Sequence, residues 1–413
     1  MRKVDEIQQY VLNILRTTVM GAGDLTDLLD GNGVIGIHTP EDPNGFDAFA
    51  KISRVLETQK ILPLTFDFWK ASSYRFETLD KKTAECCMDF YQILSCTSGV
   101  MRIFEEEKIN CVLLKGISIA KLYPVPEYRK SSDVDILLAD RNDADKACVL
   151  LEKKGFIREG EPHSLHHIEF MSPGNVLLEL HTEMAEPFDN ETANRLLNEL
   201  AAAGCGRRKE FVYADESTYI YDSATLGLSI VIHALQHFMR KGMGIKMLLD
   251  WAVFLQNEDF DEKVAGELKG YLNKLKIGGF ADALTRLSCC YLGVDISRAS
   301  MLCDDCNSPL KDWEEAFLVD MFEGGEFGKA GDDRMVNLRG TGFWDYFREF
   351  HHQMHLNFPV AGRVFLIWSV LWAVTLVRFL VNNRKLRGIK TGDILKNAGE
   401  RGKIAAGMRL FEK

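Results

Sequence analysis

No G-x-x-x-x-G-K-[ST] loop, no G-x-S-x-G turn and no H-E-x-x-H pair occurs in these 413 residues. Their absence removes the best sequence evidence for a P-loop nucleotide site, a serine hydrolase or a helical zinc protease. Positive charge is also in short supply. The 50 Lys and Arg stand against 60 Asp and Glu, a formal net charge of −10. Broad nucleic-acid binding needs a basic face and is not expected, although a local basic groove is compatible with that total. Only one C-x-x-C is present, Cys303 to Cys306, with no second pair and no nearby histidine. A zinc site is not expected there. No fixed-period repeat is evident. The start, Met1-Arg-Lys-Val-Asp-Glu, leads into a mixed helix instead of an apolar leader. The ten cysteines are therefore expected as reduced thiols in a cytoplasm.

What is present concentrates between Cys111 and Leu138. The apolar run Val112–Leu114 ends at Lys115-Gly116, the pattern of a buried strand turning into a helix. Further on stands Asp133-Val-Asp135, followed by Ile136-Leu137-Leu138. Residues two apart on a strand point to the same side, so both carboxylates project together. Two like charges that close repel each other unless a cation lies between them. Oxygen-only ligands suit a hard ion, Mg²⁺ above all. A second apolar strand, Val176 to His181, is interrupted by Glu179 alone. An acid between Leu178 and Leu180 needs a partner, and the aspartate pair with its metal supplies one.

The order of these motifs is Leu113-Leu-Lys115-Gly116, Tyr123, Arg129-x-x-x-Asp133-x-Asp135-Ile-Leu, Gly155-Phe156 and Leu178-Glu179-Leu-His181. It resembles the nucleotidyltransferase superfamily of the DNA polymerase β type. The fuller string is similar to its uncharacterised bacterial branch, often met near polysaccharide biosynthesis genes. The likeness covers roughly residues 83–181, and more weakly His233 to Leu255. It implies an α/β (α+β) core with a small mixed sheet, flanked by large all-α regions.

The resemblance also implies an activity. A Mg²⁺-dependent enzyme would move a nucleoside monophosphate from a nucleoside triphosphate such as ATP to an acceptor. The acceptor is open: a sugar, a protein, an RNA or a small molecule. Two Mg²⁺ ions, about 3.5–4 Å apart in such sites, stabilise the attacking and leaving oxygens. Asp133 and Asp135 would hold both ions. Glu179 would complete the acceptor-side ion and take the acceptor proton. Gly116 and Ser118 would approach the triphosphate. Lys115 and Arg129 would either clamp phosphate or pair with Asp133 or Asp135. His181 shares a face with Glu179 and would orient it or touch substrate. His233 and Asp250, on later helices, are expected beside the nucleotide cleft. His163, His166 and His167 lack a spacing that suits metal. One departure stands out: Ile117 separates Gly116 from Ser118, which are usually adjacent in the family. The alternative function is a catalytically inactive nucleotide- or partner-binding module of the same fold.

The rest of the chain reads as helix. Four segments are expected: a helical cap at 1–98, the core at 99–183, a helical domain at 184–345 and a tail at 346–413. Helical spacing marks 3–19, 46–56, 66–76 and 83–107 before the core, and 191–203, 224–238, 247–256, 261–275 and 280–292 after it. Within the core, Gly155 caps a helix over 142–154. Ser172-Pro-Gly-Asn175 turns a hairpin between 165–171 and 176–181. One strand is expected within 211–221. Loops rich in glycine are expected at 31–45 and 324–342. In the tail, Val364–Val377 is uncharged and flanked by Arg363 and Arg378. As a helix it spans about 21 Å, short of the roughly 30 Å hydrocarbon layer. It suits a packed helix, a helix lying on the inner face of a membrane through residues 360–390, or a span with snorkelling arginines.

Overall fold

Seven strands form one mixed sheet in the order β3-β4-β5-β2-β1-β7-β6. They are β1 (Cys111–Leu113), β2 (Asp133–Leu138), β3 (Ile157–Glu159), β4 (His167–Met171), β5 (Leu177–His181), β6 (Lys209–Tyr213) and β7 (Glu216–Ile220). The computed structural model describes residues 2–29, 43–72, 78–159, 167–188, 190–240, 242–325 and, with short interruptions, 347–411. The expected loops at 31–45 and 324–342 fall mostly outside the described residues, as do His163 and His166.

The centre of the sheet follows from hydrophobic alternation. Val134, Ile136 and Leu138 of β2 enter one apolar cluster, together with Leu178 and Leu180 of β5. That cluster packs beneath the long helix Leu79–Glu106, through Phe90, Ile93 and Met101, and beneath the helix Ala144–Lys153. Residues of opposite parity, Val112, Leu114 and Leu137, join a second cluster with the C-terminal helices. Helices therefore cover both faces.

The β4–β5 hairpin forms where Ser172-Pro-Gly-Asn175 predicts it. Asn175 adopts φ 60°, a left-handed conformation that asparagine tolerates. Ser172 Oγ accepts from Val176 N at 2.8 Å. The helix Ala144–Lys153 ends before Gly155, which takes φ 86° as expected of a C-terminal glycine. Two strands, β6 and β7, replace the single one expected in 211–221. Their two-residue turn, Ala214-Asp215, has positive φ at both positions, 48° and 63°. This is the backbone twist that a tight hairpin demands.

The first helix, Glu6–Thr18, starts at a capping box. Asp5 accepts from Gln8 N at 2.8 Å, and Gln8 accepts in return from Asp5 N at 3.1 Å. Its Val11, Leu12 and Leu15 share a core with Leu248 and Phe317 of the C-terminal half. Buried Gln59 ties the two halves together. Its amide donates to Met321 O and Phe322 O at 3.0 and 2.9 Å and accepts from Ile245 N at 2.9 Å. In the tail, the helix Trp368–Leu386 follows an exposed apolar segment in which Leu366 is 87% accessible. Among the described residues no helix is long and apolar enough to cross a membrane.

Candidate functional site

The parallel pairing of β2 with β5 sets Asp135 directly beside Glu179, with Asp133 one pleat away on the same side. One carboxylate oxygen from each of Asp133, Asp135 and Glu179 lies within 4.8 Å of the others. Asp135 is fully buried. Its Oδ2 has no hydrogen-bond partner among the described residues. A buried, unmatched carboxylate oxygen is costly, and a cation would relieve it.

Lys115 and His181 supply the positive side. Lys115 Nζ is 3.0 Å from Asp135 Oδ1 and 3.8 Å from Asp133 Oδ2. His181 Nε2 lies 3.0 Å from Asp135 Oδ1 and 3.3 Å from Glu179 Oε2. The titration directions follow. Burial raises Asp133, and the charge of Asp135 adds to it. Burial also works to raise Glu179, but the hydrogen bond from His181 and the charge of Lys115 more than offset it, leaving it lowered. Burial pulls Lys115 and His181 down, yet the carboxylates around them win, and both are raised.

These groups form one wall of a cleft of about 310 Å³. Lys115, Asp133, Glu179 and His181 line it on the sheet side, and His167 of β4 joins them. The other wall is the helix Ser223–Arg240, which turns Ser229, His233, Gln236 and Arg240 into the space. Those residues recur at helical spacing on one face. Burial, followed by the neighbouring His237, pushes His233 well below the ordinary imidazole value and keeps it neutral.

Gly116, Ser118, Arg129 and Asp250 are not among the residues lining this cleft. Gly116 turns the chain from β1 into the short helix Ile117–Ala120 with φ 73° and ψ −112°, which a side chain would strain. Ser118 is fully buried within that helix. Among the described residues Arg129 pairs with Asp250 and not with Asp133 or Asp135. Its Nε and Nη2 each lie 2.7 Å from the two oxygens of Asp250, a two-pronged pair. Tyr123 Oη donates to Asp250 Oδ1 at 2.8 Å. Arg129 Nη1 also donates to Ser131 Oγ at 3.2 Å and Gly116 O at 3.4 Å. Asp250 is thus a buried anchor on the helix Ile245–Gln256, holding the loop that carries the Gly116 turn in place.

A family model described as "Uncharacterised nucleotidyltransferase" matches residues 50–291, more than half of the chain. The chain belongs to this family. Membership fits the mixed sheet with its flanking helices, and it points to transferase activity. The family's members typically use divalent metals, and the Asp133, Asp135 and Glu179 group can hold one. Among solved structures, the chain is similar to an antigenic nucleotidyltransferase-like protein from Paracoccidioides brasiliensis. The two share 18% identity over 50% of this chain and 94% of that one, with a TM-score of 0.31. A search of curated proteins finds no match.

Two features of the site lie outside the set of residues expected of it, His233 apart. The polar stripe of the helix Ser223–Arg240 was legible as Ser229, His233, Gln236 and Arg240 at turns of an otherwise apolar helix. His167 was not, because its approach to Glu179 and His181 comes from cross-strand pairing and not from sequence spacing.

Proposed function

We propose that this protein is a Mg²⁺-dependent nucleotidyltransferase, transferring a nucleoside monophosphate from a triphosphate such as ATP to an acceptor hydroxyl. The observation that carries this reading is the convergence of Asp133, Asp135 and Glu179, with Asp135 Oδ2 buried and unmatched among the described residues. The donor set is all oxygen, which fits Mg²⁺. Bound Mg²⁺ would supply charge neutralisation at the phosphates. The chain's own residues do the rest. The acceptor oxygen attacks the α-phosphorus, and the bond to pyrophosphate breaks. Glu179, facing the cleft with His181 beside it, takes the acceptor proton. Lys115, already at the carboxylates, is within reach of a triphosphate in the same cleft. Neutral His233 on the far wall offers an uncharged face to a base or acceptor.

Calorimetric titration of ATP with Mg²⁺ into wild type and the Asp133→Asn/Asp135→Asn double variant tests the reading. Equal, negligible heat from both would end it. The second reading, a binding module without turnover, draws on the buried position of Ser118. Radiolabelled nucleotide incubated with cell extract separates the two: transfer of label supports the enzyme, and binding alone supports the module. A cytoplasmic position is supported by ten free cysteines. Contact with the inner membrane surface is supported by exposed Phe365, Leu366 and Val370.

A further inference from the structure

The acidic trio is not the whole donor set of the cleft. His167 and His181 are directly paired across β4 and β5, and Glu179 lies two residues before His181 on the same side. Their ring centroids are 5.4 Å apart. One ligand atom from each of His167, Glu179 and His181 lies within 4.8 Å of the others. All three line the cleft. Glu169, the cross-strand partner of Glu179, holds the His167 ring, with Oε1 3.2 Å from Nε2. A carboxylate beside an imidazole is the usual way a metal-binding ring is oriented.

We infer that this tripod is a second cation position, distinct in chemistry from the all-oxygen one and joined to it through Glu179. Two imidazoles and one carboxylate favour a borderline transition dication such as Zn²⁺ over Mg²⁺. Three protein ligands leave an open coordination place, as in catalytic zinc sites, and here it faces the cleft. The tripod stands on adjacent strands, so it is rigid before any ion arrives. His181 already places Nε2 against oxygens of Glu179 and Asp135, where an ion would meet nitrogen and oxygen together. The site would therefore hold two unlike ions bridged by one glutamate. The inference uses the same cleft as the transfer reading but does not need transfer to occur.

The test is metal binding by the full chain. Co²⁺, as a spectroscopic stand-in for Zn²⁺, is titrated and followed by visible absorption; Mg²⁺ with ATP is followed by calorimetry. Wild type is expected to give Co²⁺ bands of nitrogen and oxygen ligation. His167→Ala and the milder His167→Gln are expected to weaken Co²⁺ by about tenfold or more, by analogy with the loss of groups that orient metal ligands, and to change the Mg²⁺–ATP heat less than Asp133→Asn does. Asp133→Asn should do the reverse. Equal Co²⁺ affinity in wild type and both His167 variants would overturn the second position. So would the absence of Co²⁺ binding, or a sulfur charge-transfer band that survives both substitutions and so places the ion on cysteine. Thermal unfolding confirms that at least one variant is folded. Loss of the Mg²⁺–ATP heat in wild type would instead count against the transfer reading and leave the Co²⁺ result standing.

Discussion

Asp250→Asn removes one charge from a pair that lies almost wholly inside the protein, with side-chain exposures of 6% for Arg129 and 3% for Asp250. The change is nearly isosteric, so packing is preserved and the electrostatics are isolated. Arg129 would keep its charge but lose its counter-ion and one of its two 2.7 Å contacts, since the amide of asparagine retains a single accepting oxygen. What remains to it is that amide oxygen, Ser131 Oγ at 3.2 Å and Gly116 O at 3.4 Å, all neutral acceptors. Stranding a buried charge in this way costs about 3–5 kcal/mol. Arg129→Met should cost a similar amount, because Asp250 would be left with Tyr123 alone. Arg129→Met with Asp250→Leu removes both charges, and its loss should fall well short of the two single losses added together. Urea unfolding followed by circular dichroism reads all three, with slopes compared so that midpoints alone do not mislead. A loss of roughly 0–1 kcal/mol for Asp250→Asn, the range of a solvent-exposed pair, would refute a dry anchor. The same experiment decides what Arg129 is for. If it gripped phosphate, Arg129→Met would weaken ATP binding while leaving the unfolding curve in place.

Asp133→Asn should stabilise the metal-free protein at neutral pH. Asp133 titrates above its unfolded value, so its charge is a cost that is present above the folded pKa and gone below the unfolded one; the gain should vanish as the pH falls through the carboxylate range, and a gain that grows there instead would contradict the assignment. Gly116→Ala, forced to φ 73°, should lose about 1–3 kcal/mol by the same unfolding assay. Alkylation at pH 8 followed by mass spectrometry should modify exposed Cys290 well before buried Cys111, whose thiol burial pushes up to about 12. Phe365→Asp with Leu366→Asp should abolish flotation with anionic vesicles, since both side chains are largely exposed, at 72% and 87%; unchanged flotation would remove the membrane contact.

Much of the core was legible because its chemistry sits in short periods. Asp133-Val-Asp135 can project two carboxylates to one side only as a strand, and Ile136 and Leu138 say which side is buried. Glu179 between two leucines demanded a partner, and the register of β2 with β5 delivers Asp135. Gly155 and Asn175 announced their turns through the backbone conformations they allow. The misses have physical causes. Ala214-Asp215 makes a tight hairpin without the glycine that normally signals one. β3 is three exposed residues at the sheet edge, too short to show alternation. The partner of Arg129 lies 121 residues away, where no local pattern reaches. The N-terminal helices share one core with the C-terminal ones, a long-range packing that composition cannot express.

The alternation along β2 has a practical consequence for anyone engineering this protein. Val134 and Asp135 are bonded neighbours, yet one answers to the shape of the space beneath the helix Leu79–Glu106 and the other to the charge of the cleft. Repacking beneath that helix would pass through the strand to the carboxylates, moving them by fractions of an ångström without touching them. A stabilising library built on the oily side would thus tune, or ruin, the ionic side as an unintended by-product.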